Sequence, residues 1–74
     1  MNNMPRFIKL HDRNEHQFIS DLYIQVDSIE RFYHLEEEGK HRNVVHIKNS
    51  LDVHHVNETP SEIKELILKV IQAY

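Results

Sequence analysis

Glu58-Thr59-Pro60-Ser61-Glu62, running into Ile63-Lys64-Glu65-Leu66-Ile67-Leu68-Lys69-Val70-Ile71-Gln72-Ala73-Tyr74, decides the fold of this chain. Thr59 is an N-cap residue, Pro60 suits the first helical position, and Glu62 stands where a capping box needs a carboxylate. Behind this start, Ile63, Leu66, Ile67, Val70, Ile71 and Tyr74 recur at spacings of three and four, the stripe of an amphipathic helix. The reading predicts a helix over residues 60–73, with Leu66 and Ile67 on the stripe that faces the sheet. Glu65 and Lys69 form a favourable pair one turn apart. Leu68 falls off the stripe, at the edge of the helix or of a contact with another chain. One such helix covers one face of a small sheet, so the segments before it must supply that sheet.

They do so by alternation. Phe7-Ile8-Lys9-Leu10-His11 reads as a first strand, with Ile8 and Leu10 on one face. Asp12 to Glu15 reads as a polar turn. Leu22-Tyr23-Ile24-Gln25-Val26 alternates again, after a bulge or short break at Ser20-Asp21. Asp27-Ser28 interrupts the chain before Ile29-Glu30-Arg31-Phe32-Tyr33-His34-Leu35. A strand starting near Glu30 suits these residue types, with Ile29 tucked under the sheet. A helical turn through Val26, Ile29, Phe32 and Tyr33 remains the other reading of residues 27–35. Glu36 to Arg42 reads as a solvated loop around Gly39, the single glycine, for which a positive φ is expected. Asn43–Lys48 and Asp52–Val56 make a hairpin about Asn49-Ser50. Val45 and Ile47 face one way and Val44, His46 and Lys48 the other; beyond the turn, His54 and Val56 oppose Val53 and His55.

The expected architecture is an α+β domain: a small curled antiparallel sheet of four to five short strands with one C-terminal amphipathic helix. Residues 1–74 form a single domain, with 1–5 frayed, strands across 6–57 and the helix at 60–73.

Composition narrows the function classes. With 74 residues the chain buries only about 60% of its unfolded surface, a thin stability margin. It has no cysteine, which excludes disulfides and thiolate metal sites. Nine Lys and Arg against 12 Asp and Glu give a net charge of -3, no general attraction to phosphate backbones. No apolar run approaches the ~20 residues of a membrane span. Met1 to Pro5 lacks the basic start of a signal peptide, so the expectation is a cytoplasmic protein without membrane contact.

Seven histidines are the compositional excess: His11, His16, His34, His41, His46, His54 and His55. They match no metal-motif spacing, and sheet-surface polarity is the expected role, with no metal and no cofactor. Ser20, Ser28, Ser50 and Ser61 sit in turn or cap contexts, where serine bonds the local backbone. Nothing places a nucleophile or a tuned carboxylate pair, so no catalytic residue and no enzymatic activity are expected.

The function expected by elimination is that of a non-enzymatic interaction or accessory protein, self-associating or bound to a protein partner. Its interaction face comprises Phe7, Lys9, Val44, His46, Lys48, Val53 and His55 on the side of the sheet away from the helix, with Leu68 at the helix edge. Tyr33 is a further candidate for this face. The alternative is a small nucleic-acid-binding module that uses the Phe7, Lys9 and Lys48 face, aromatic side chains among basic ones.

Phe7-Ile8-Lys9-Leu10, the Ile-x-Val-Asp-x-Ile run from Ile24 to Ile29, Val45-His46-Ile47-Lys48-Asn49 and Val56-Asn57-Glu58-Thr59-Pro60-Ser61-Glu62-Ile63 together resemble the FlbD-like family of small bacterial proteins, also called SwrD, and similar short phage and bacterial proteins. The resemblance covers roughly residues 6–72 and rests on hydrophobic and turn positions. It implies a strand-rich segment closed by a helix, an association with bacterial motility, and no catalytic residues. Ser50 replaces the glycine expected after Asn49, and the segments around 12–23 and 35–43 are longer than the family pattern.

Overall fold

The computed structural model describes residues 6–13 and 18–72. Five strands and one helix follow in order: β1 (Phe7–Arg13), β2 (Ile19–Gln25), β3 (Ile29–Glu37), β4 (Lys40–Ile47), β5 (Val53–Val56) and α1 (Pro60–Gln72). All pairings are antiparallel, and the strand order is β2-β1-β5-β4-β3. The sheet is not closed, and the chain is an α+β fold with one C-terminal helix.

The topology requires a strong curl. β2 and β3 are opposite edges of the sheet, which lie about 19 Å apart in a flat five-stranded sheet. They are consecutive in the chain and joined only by the 3-10 turn Val26–Ser28, which spans about 6 Å. Rolling the sheet brings the two ends together. The turn is tied on both sides: Val26 N–H donates to the Arg6 carbonyl at 2.8 Å, and Lys48 N–H donates to the Ser28 carbonyl at 2.8 Å.

Inside the curl, Ile8, Leu10, Ile24, Val45, Val56 and Ile63 form the buried core, and Phe32, Leu66, Ile67 and Val70 pack around it. The helix touches β1 and β3 across the concave side. Its deepest residue is Ile63, fully buried, while Leu66 and Ile67 are half-buried. The deepest point of the helix contact therefore lies in its first turn, just after the cap. The capping box is present: Glu62 N–H donates to Thr59 Oγ1, and Thr59 N–H donates to Glu62 Oε1, both at 3.2 Å.

The strand expected to start near Glu30 is present, and other local expectations change. Residues 29–37 are strand and not helix, and their spacing has a simple cause. The β3–β4 register slips between Ile29 and Arg31, so Glu30 is a bulge that lets Ile29 and Phe32 both face inward. The solvated loop expected from Glu36 to Arg42 is reduced to Glu38-Gly39. Both have positive φ, 51° and 78°, the backbone of a type I′ hairpin, so strand pairing continues to Glu37 and Lys40. The β4–β5 hairpin turns through Lys48 to Asp52, with Asn49 at φ 57°, a longer connection than the Asn49-Ser50 pair. β2 pairs with β1 without a break at Ser20-Asp21. Asp12 and Arg13 belong to β1. The rest of that expected turn, the lead at 1–5, His16 and residue 73 lie outside the described residues.

Candidate interaction face

Alternation along each strand sends one set of side chains to the convex side. On β1 and β2 these include Phe7, Lys9, His11, Asp21 and Tyr23, with Lys9 opposite Tyr23 in register. Phe7, two residues before Lys9 on β1, and Tyr23, directly across from it on β2, are 52% and 62% exposed, so two aromatic side chains stand in solvent near Lys9. Lys9 Nζ lies 3.5 Å from Asp21 Oδ2. Arg31 on β3 bonds its neighbour Glu30 at 2.8 Å. With these cations matched locally, the face carries no continuous basic stripe. Such exposed pairs contribute ~0–1 kcal/mol each to stability.

Across β3, β4 and β5 the convex side is different. Val44 stands in register between Tyr33 and His55, and it is 2% exposed although the helix lies on the other side of the sheet. Its expected place on an accessible interaction face is corrected: Val44 is a buried residue of the convex side. Tyr33 and His46 stack with centroids 5.5 Å apart, and Tyr33 Oη lies 3.0 Å from His46 Nε2. This pair and the half-buried His55 shield the valine, while Val53, opposite His46, keeps 43% exposure. His46 and His55 are diagonal neighbours and do not oppose one another directly. Lys48 is exposed just beyond β4, and Leu68, 41% exposed, is on the helix, across the sheet from the others. The eight residues singled out therefore lie on two sides of the molecule.

Two polar clusters escaped the sequence reading. In the first, His11 N–H donates to Glu58 Oε1 at 2.9 Å and His11 Nδ1 donates to Glu58 Oε2 at 2.6 Å, across 47 residues of chain. Asn57 N–H also donates to the His11 carbonyl. Burial alone would raise the Glu58 carboxyl; the bonds from the His11 ring and backbone outweigh it and hold the pKa below the ordinary value. In the second, His34 Nδ1 and Asn43 Oδ1 are 2.9 Å apart and His34 Nε2 and His41 Nδ1 are 3.1 Å apart, while Asn43 Nδ2 donates to the Asn57 carbonyl. No signal of local spacing could have revealed the first cluster. The second follows once the two-residue turn at Glu38-Gly39 sets the β3–β4 register. Among the described residues, no three His, Cys, Asp or Glu gather to hold a metal ion.

No family model matches this chain, and neither a curated protein nor a solved structure does.

Proposed function

We propose that this chain is a non-enzymatic interaction protein, a small accessory factor that works by holding another polypeptide, either a second copy or a different protein, on its sheet. The observation that carries the reading is the open sheet. β2 and β3 each have one strand neighbour, which leaves two backbone edges able to accept another strand. The exposed Phe7, Tyr23 and Val53 side chains add apolar area on the convex side. We place the protein in the cytoplasm, and its likeness to FlbD-like proteins suggests an accessory role in bacterial motility or a phage counterpart. Among the described residues, no helix is long and apolar enough to cross a membrane.

A second reading has its own support. Phe7 and Tyr23 share the exposed face with Lys9, which stands across from Tyr23, an arrangement on which single-stranded bases could stack. Light scattering at several concentrations, followed by a titration with mixed oligonucleotides, separates the two. A rising mass without oligonucleotide binding supports the interaction reading. A strict monomer with salt-sensitive oligonucleotide affinity supports the second.

A further inference from the structure

We infer that the free edge of β3 is a self-pairing surface, on which a second copy of this chain docks its own β3 antiparallel about a two-fold axis at His34. This rests on the interaction reading above and names its partner.

β3 pairs with β4 alone, and among the described residues no backbone hydrogen bond leaves its other edge. The bulge at Glu30 ends the regular pairing at one side and the Glu38-Gly39 turn ends it at the other. What remains is the regular run Arg31-Phe32-Tyr33-His34-Leu35-Glu36-Glu37, whose midpoint is His34. Its charges are polar in sequence: a cation at the start, two carboxylates at the end, and no Lys, Arg, Asp or Glu between.

An antiparallel pair related by a two-fold axis keeps the same face of both strands together, so residues of like parity oppose each other. Of the registers that meet this condition, one sets Arg31 directly across from a carboxylate, that of Glu37 in the second copy. It is also the register centred on His34, the midpoint that the bulge and the turn define independently. Both Arg31–Glu37 pairs then lie on the convex side, and Tyr33 of each copy meets Leu35 of the other there. Shifting the register by two residues toward the bulge sets Arg31 across from Leu35, so both charge pairs are lost. β2 carries Asp21 and no cation, so it has no such self-complementary pattern. Arg31 now bonds Glu30 within its own chain, and docking exchanges that exposed contact for one between copies.

The test is the solution mass of four proteins over a wide concentration range: the native chain, Arg31→Glu, Glu37→Arg and the double charge swap. Both positions are exposed, and far-UV circular dichroism checks the fold of each. If either single variant loses its sheet spectrum, Arg31→Gln and Glu37→Gln replace them. The native chain should move from 9.0 kDa toward twice that mass. Each single variant should require at least tenfold higher concentration to do so, and the double swap should recover the native behaviour. A native dimer that neither single variant weakens overturns the β3 pairing and leaves the interaction reading standing. A native chain that stays monomeric throughout overturns self-pairing, and only capture of a different protein would then sustain the interaction reading.

Discussion

Glu58 takes both polar hydrogens that His11 can offer it, one from the backbone and one from the ring, at 2.9 and 2.6 Å. This pair joins β1 to the connection between β5 and α1. It fixes where the helix starts, because Thr59 and the first helical turn follow at once. The Glu58 side chain is only 12% exposed and the His11 side chain 42%, so the two bonds form at a partly buried site. Glu58→Ala should cost ~1.5–3 kcal/mol at neutral pH, the range for hydrogen bonds to a charged group. Urea denaturation of the two proteins measures it, and an unchanged midpoint would contradict this role.

The same pair sets an acid dependence. The folded pKa of Glu58 lies below its ordinary value of 4.5, so as pH falls the unfolded chain takes up the proton first. The stabilisation is complete above the unfolded value and is lost as pH drops through the folded one. Glu58→Gln should therefore differ most from the native chain near neutrality, and the difference should shrink below about pH 4.5. Denaturation midpoints at several pH values decide it; a gap that stays constant into the acid range would be inconsistent with the pair.

The helix offers a graded series. Ile63 is fully buried, Leu66 and Ile67 are half-buried, and Leu68 is exposed. Ile63→Ala should cost ~2–5 kcal/mol, Leu66→Ala and Ile67→Ala less, and Leu68→Ala under about 0.5 kcal/mol. A domain of this size holds only a few kcal/mol in reserve, so the series is best compared by denaturation in the cold, where Ile63→Ala should have the lowest midpoint. An equal loss at Ile63 and Leu68 would place the wrong face inward.

Thr59→Ala tests the helix start on its own. Thr59 Oγ1 accepts the Glu62 amide, and without it a first-turn donor loses its partner. The expected cost is ~0.5–2 kcal/mol.

At the hairpin tip, Gly39 has φ 78° and open space where a Cβ would stand. Gly39→Ala meets no atom, so its whole cost is backbone strain, about 1–2 kcal/mol. Glu38, at φ 51°, carries that strain already, and Glu38→Asn should raise the denaturation midpoint. If Gly39→Ala left stability unchanged, the two-residue turn would be wrong.

The parts legible in the sequence are those whose signal is local. Thr59, Pro60 and Glu62 announced the helix, and the alternation of Val44 to Ile47 announced β4. The strand at 29–37 was readable, but its odd spacing needed the register slip at Glu30, which only the pairing with β4 reveals. The Glu36–Arg42 segment read as a loop because its charges suggest solvent, whereas strands at a free edge also carry charge. Val44 looked accessible because it opposes the helix-covered face; the Tyr33–His46 stack that helps bury it depends on cross-strand register. His11 and Glu58, far apart in sequence, carry no local sign of each other.

Amide hydrogen exchange along β3 at low and high protein concentration tests the central claim most directly. The amides bonded to β4 should be protected at both concentrations. Those between Arg31 and Glu37 that point away from β4 should exchange freely when dilute and slow as concentration rises. Free exchange of these outer amides at both concentrations would contradict an edge that takes up a second strand.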